Sequence, residues 1–309
     1  MSGVTTVHPE YNLFLEDVNR NRDAVKGERA IKDKTVQYLE PLPSMCLSHT
    51  YDEVGNAITL RAKGLTAEGQ VSYNKYISLA YFYNATGRTV DGLTGLIFSK
   101  PANTEIPTQL EYIETNVDGK GTSLRKFAQK LVNDSFITPR HAVMVDYPVT
   151  EQGMSRAQAE QLNLRPKLVH YKYESIRNWH FETINNQQKL TLCVLQESVR
   201  IKEDRFKFKD VIQYRVLELV DGVYVQSVMD EKDEEIIPQT PVLVNGKTVD
   251  EIPLYFIEVG SECKSVINDL VDANLNHYRF FADYAAKEHA SAFPIFYETG
   301  ASSEGKNIE

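Results

Sequence analysis

Between residues 167 and 258, Val, Ile, Tyr and Thr alternate with polar residues, as where Ile212, Tyr214 and Val216 are interleaved with Gln213 and Arg215. Successive side chains of a strand point to opposite faces, so this pattern predicts strands with one face on a core and the other toward water. Asp221-Gly222 sits between two such runs, and Asn245-Gly246 between Val242–Val244 and Thr248–Ile252. Both dipeptides suit the two-residue turns of hairpins, whose central residues need positive φ. Strands joined by such turns run antiparallel. The segment 140–260 is therefore expected to be mainly antiparallel β, with 141–147 as its first strand, ended by Pro148. The acidic run Asp230–Glu235 reads as a solvated loop.

The flanks have a different period. Residues 9–40 read as helix, charged on most faces from Asn19 to Lys32 and so expected to be solvated or to bridge domains, until Pro41 and Pro43 end it. Residues 44–71 read as loop with one hairpin turning at Gly55-Asn56. Residues 72–98 repeat apolar side chains near helical spacing, with Gly87, Gly92 and Gly95 expected to mark a break or a close helix crossing. Ser123 precedes a stripe of Leu124, Phe127, Ala128 and Leu131 and can cap that helix. A short helix over 155–162 carries a capping box from Ser155 to Gln158. Residues 264–290 return to helix, with Ile267, Val271, Leu275, Tyr278, Phe281 and Ala285 near one stripe and Phe280 and Tyr284 widening it. Residues 292–297 read as the start of a strand. The fold class expected is α+β.

Several function classes lose support from composition. With 34 Lys and Arg against 43 Asp and Glu, the net charge is −9. That is wrong for a cationic clamp that grips phosphates by counterion release. Cys46, Cys193 and Cys263 are far apart and form no CxxC, so free thiols in a reducing compartment are expected. No apolar run nears membrane-spanning length. Gly246-Lys247-Thr248 has Pro241 where a P-loop needs glycine, and is expected to be hairpin. No HExxH, GxSxG or GxGxxG occurs. Asp272 and His277 are five apart, off the i, i+4 spacing of a helical ligand pair. His170, His180 and Trp179, with Tyr171 and Tyr173, read as a core or interface cluster. No catalytic residue, metal ligand or cofactor is expected, and a nuclease-like carboxylate cluster has no motif behind it.

Read in order, several segments resemble one family. They are Asn21–Lys32 (NRDAVKGERAIK), Tyr83–Pro101 (YNATGRTVDGLTGLIFSKP), Val117–Leu124 (VDGKGTSL), Val143–Pro148 (VMVDYP), Arg165–Tyr171 (RPKLVHY), Glu174–Trp179 (ESIRNW), Asp250–Pro253 (DEIP) and Leu270–Asp283 (LVDANLNHYRFFAD). Together they resemble the portal-like structural proteins of tailed phages. The resemblance implies a non-enzymatic subunit of a dodecameric homo-oligomeric ring at a capsid vertex. Such a ring nucleates head assembly, docks the terminase, conducts double-stranded DNA without sequence specificity, and joins capsid to head–tail adaptor. Its place would be the virion, with assembly in the host cytoplasm and no membrane. Other head–tail connectors or minor head proteins are the nearest alternative, and a metal-dependent nuclease the more distant one.

By the same resemblance, residues 1–260 would form a wing, helical over 1–135 and mainly β over 140–260. Residues 261–291 would be a stem helix, and 292–309 the start of a clip, in a chain expected to be truncated there. On the stem helix, Lys264, Asp269, Asp272, Arg279, Asp283 and Lys287 are close to balanced in charge and are expected to line the channel. A balanced wall lets DNA slide where a basic one would hold it. Ile267, Val271, Leu275, Tyr278 and Phe281 are expected to pack against neighbouring subunits.

Overall fold

The alternating residues of 167–258 do form antiparallel strands, and the main sheet is a five-stranded meander in the order β5-β6-β7-β8-β9. It comprises β5 (Ile176–Ile184), β6 (Gln187–Lys202), β7 (Phe208–Val220), β8 (Val223–Met229) and β9 (Glu235–Pro241). The computed structural model describes residues 3–51, 57–61, 64–148, 158, 161–162, 164–244, 246–259 and 264–292. Asp221 and Gly222 make the β7–β8 turn at φ 50° and 77°. Asn185 and Asn186, at φ 53° and 60°, make the β5–β6 turn, since asparagine tolerates positive φ. In the acidic loop, the Asp230 carboxylate accepts the backbone N–H groups of Lys232 and Glu234.

A three-stranded antiparallel sheet, β12-β3-β4, packs with the meander. It consists of β3 (Arg140–Asp146), β4 (Lys167–Tyr171) and β12 (Leu254–Glu258). The main core gathers Ala142, Met144 and Tyr171 from this sheet with Trp179, Cys193, Leu195, Leu217 and Tyr224 from the meander. Helix α1 (Pro9–Lys26) adds Tyr11 and Val18. Burial raises the Cys193 thiol above its usual range, so this free cysteine is inert core. The opposite face of the meander holds a smaller cluster of Val194, Tyr214 and Val216, covered by Val4. Beyond the core the β6–β7 ribbon runs on, leaving Phe206 and Phe208 exposed.

Short elements complete the chain. Helix α2 spans Glu28–Asp33, and β1 (Leu47–Tyr51) pairs with β2 (Ala57–Arg61) as the expected hairpin. Its Gly55-Asn56 turn lies outside the described residues, as do most of the 155–162 segment and everything after Ala292, including the expected clip-like start. Helices α3 (Ala67–Leu79), α4 (Ala85–Ile97), α5 (Tyr112–Thr115) and α6 (Leu124–Ile137) follow. Ser123 caps α6 by accepting from Lys126 N–H. Strands β10 (Leu243–Val244) and β11 (Lys247–Thr248) are shorter than expected but place Gly246-Lys247-Thr248 in a hairpin. Helix α7 (Asn268–Ser291) comes last. The fold is mixed α+β with a C-terminal helix.

The helical pattern of 72–98 breaks at 80–84, not at its glycines. The Asn274 side-chain amide accepts from Ala85 N–H and donates to the Tyr83 carbonyl, adding to the turn bond between those two backbone groups and holding the chain at the break. Contacts divide the chain into two compact units, 1–25 with 86–271, and 26–85 with 272–309. This partition differs from the single body expected over 1–260.

The Gly222 turn offers a direct check. A Cβ added there meets no atom within 4 Å, so the cost of a side chain is purely that of positive φ. Gly222→Val should lower unfolding free energy by about 1–2 kcal/mol in urea titrations, without change of fold.

Candidate functional site

For Asn19–Lys32 the sequence leaves two expectations, a solvated helix or one that bridges domains, and the solvated one does not hold for its first turns. Instead Asn21, Asp23 and Ala24 are buried, and Arg22 lies at the centre of a polar network. The Arg22 guanidinium donates through Nη1 to Asp134 Oδ1 at 2.7 Å, through Nη2 to Glu174 Oε2 at 2.9 Å, and through Nε to Glu174 Oε1. The fork of Arg matches a carboxylate in this bidentate way, and Lys does not. Beside it, Asn21 Nδ2 donates to the Ile137 carbonyl and to Asn268 Oδ1. Arg22 and the Asn21 amide nitrogen can be buried on this helix because both find partners far along the chain, which a pattern of charges cannot reveal.

Asp134 carries the network into the three-stranded sheet. Helix α6 presents Asp134 and Ser135 to one face of β3 and β4, the face opposite Ala142 and Met144. His141 lies on β3 and His170 on β4, on neighbouring strands in which Val143 pairs with His170. His170 Nε2 is 3.2 Å from His141 Nδ1 and 3.4 Å from Asp134 Oδ2. On its far side, His141 Nε2 is 2.8 Å from Ser135 Oγ. His141 is fully buried and Asp134 is 4% exposed, so no bulk substrate reaches them.

This surrounding sets the protonation of the group. Burial lowers the His141 pKa to about 4, and the neighbouring His170 adds to the shift. Burial alone would raise the Asp134 carboxyl, but the contacts of His170 and Arg22 outweigh it and hold the acid well below its usual range.

No spacing in the sequence brings Asp134, His141 and His170 together. Of the expected core or interface cluster, Trp179, Tyr171 and Tyr173 do join the main core, whereas His170 turns to His141 and His180 is exposed. Trp179 stacks on His8 with ring centroids 4.0 Å apart, and His180 is exposed beside Glu182. Tyr171 donates to Glu197 at 2.6 Å, within a second network in which Arg215 meets Asp146 and Glu197. The one available signal was the conjunction of His141 in a strand with Asp134 at the end of the preceding helix.

The residues assigned to the C-terminal helix are redistributed. Ile267, Val271, Leu275 and Tyr278 are buried within the chain itself, and Tyr278 meets Phe82 edge-on. Phe281 is half-buried, in edge contact with Tyr81. These side chains already have intrachain partners. Phe280 and Tyr284, expected to widen the buried stripe, are instead 74% and 59% exposed. Among the expected channel charges, Asp283 accepts a hydrogen bond from Tyr76 at 2.5 Å, and Arg279 donates to the Tyr38 carbonyl and to Asn276. Lys264 pairs with exposed Asp269 at 2.7 Å. Asp272 and Lys287 are on the surface.

No protein-family model matches the chain, and no curated protein matches its sequence. Among the described residues, no helix is long and apolar enough to cross a membrane.

The shift at His141 fixes the sign of a pH dependence. The folded protein refuses a proton that the unfolded chain takes up below about pH 6.5. Stability from this group is therefore complete above that pH and is lost as pH falls toward 4. Urea titrations of chelator-treated protein should show a loss on the order of 1–2 kcal/mol between pH 7 and pH 5. His141→Gln should flatten that slope.

Proposed function

We propose that this chain is a structural subunit of the portal ring of a tailed phage and catalyses no reaction of its own. The reading rests on the ordered series of portal-like segments, and one observation supports it most. The 24-residue helix α7 buries one stripe inside the chain yet leaves Phe280 and Tyr284 in water. Exposed aromatics at i, i+4 on one helix face are expensive to leave solvated and are favoured at the centre of interfaces. At 100° per residue, Asp269, Phe280 and Lys287 fall on the same outward face. Subunit packing and DNA-facing charge would then share this face, with the aromatic pair against the neighbouring copy and Asp269, Asp272 and Lys287 toward the channel.

A nuclease reading gains nothing from Asp134, His141 and His170, because that cluster is closed to a phosphodiester. Partners follow from the proposed role: further copies of the chain, double-stranded DNA passing through, the terminase, capsid protein and an adaptor.

Negative-stain images of the purified chain should show uniform rings, twelve-fold in projection. The double variant Phe280→Ser, Tyr284→Ser should keep the circular dichroism of the parent and lose the rings. Dispersed parental monomers would contradict the proposal. Reversing Asp269 and Asp272 to Lys should leave rings intact and reduce DNA packaged per head, as phosphate contacts begin to hold the duplex.

A further inference from the structure

We infer that Asp134, His141 and His170 form a structural site for one divalent transition-metal ion of the zinc type. The three side chains are short of protons. His170 Nε2 lies 3.2 Å from His141 Nδ1 and 3.4 Å from Asp134 Oδ2. A single imidazole N–H cannot serve both acceptors, and both separations exceed the usual 2.9–3.0 Å. Asp134 Oδ2 accordingly has no hydrogen bond of proper geometry although it is buried. A buried carboxylate oxygen whose one contact is this long is under-satisfied, which is costly and calls for an explanation.

A cation at the centre of the three atoms supplies it, because each then offers a lone pair and none needs a proton. All three lie within 4.8 Å of one another. Tetrahedral zinc at about 2.0–2.1 Å from nitrogen and oxygen places its ligands about 3.3 Å apart. The two separations around His170 bracket that value. Two imidazoles with one carboxylate form a donor set that zinc accepts, with a fourth position for water.

The surrounding groups are those a ligated ion requires. His141 coordinates through Nδ1, and its Nε2–H donates to Ser135 Oγ at 2.8 Å, which fixes tautomer and ring plane. Asp134 coordinates through Oδ2 while Oδ1 accepts from Arg22 at 2.7 Å. Glu174 offsets the Arg22 charge, so the group around the ion keeps a net negative charge from Asp134. The ligands come from α6, β3 and β4, and the ion would fasten that helix to its sheet. Burial makes this a stabilising site and not a catalytic one.

The test uses the untagged full chain, stripped with chelator and dialysed. Titration with Zn²⁺ alone should show one equivalent bound per chain and raise the melting temperature by on the order of 5 °C at hundredfold excess over Kd. Co²⁺ alone should give the visible bands of a four-coordinate nitrogen–oxygen site. His170→Asn should abolish both signals, and His277→Ala, on the surface, should change neither. Since the His170 variant may unfold, imidazole nitrogen shifts of the parent protein provide a second readout: Zn²⁺ should move His141 Nδ1 and His170 Nε2 together. No stoichiometric binding by the parent, unmoved imidazole shifts, or binding retained in His170→Asn would each overturn the proposal.

Discussion

The larger compact unit depends on one guanidinium. Arg22 is the cation that makes Asp134 and Glu174 tolerable near each other and away from water, and it joins residues 112 and 152 positions apart in the chain. Removing one member of such a buried group leaves an unpaired charge, which costs about 3–5 kcal/mol. Through Asp134 the same contact sets the geometry of His141 and His170. Asn21, one residue earlier, ties the end of α6 to the start of α7. One turn of α1 therefore organises the first turn of α7, the C-terminal end of α6 and the turn after β4.

The apolar core and the charged groups divide the work. On the inner face of the meander, Cys193, Leu195 and Leu217 are buried among apolar neighbours. Farther along the same face Glu197 and Arg215 replace them, and they meet Asp146 and Tyr171 of the smaller sheet. Burial supplies the non-directional driving force, whereas the ion pairs with fixed geometry select one docking of the two sheets. Outside these contacts lies surface that the chain does not cover: Phe280 and Tyr284 on α7, and the end of the β6–β7 ribbon.

The sequence carried the local part of this account and not the distant part. The antiparallel meander was legible because alternation and the Asp221-Gly222 turn are short-range signals, and Ser123 announced the start of α6 for the same reason. The break at 80–84 was not, since it is held by Asn274, nearly two hundred residues away. Nor was the burial of Arg22, because charge on a helix looks the same whether its partner is water or a carboxylate far along the chain. The Asp134, His141 and His170 cluster failed for that reason too: its members are close only after α6 has folded onto β3 and β4. On α7 the apolar stripe was legible, but not that it is consumed within the chain and leaves Phe280 outside.

Arg22 and Asp134 act as a coupled pair on which this part of the fold rests. A double-mutant cycle with Arg22→Ala, Asp134→Ala and their combination, read by urea unfolding at pH 7, measures that coupling directly. Each single variant should be strongly destabilised and the double variant less so than their sum, with a coupling energy of about 2 kcal/mol or more. Additive losses, with a coupling near zero, would contradict it.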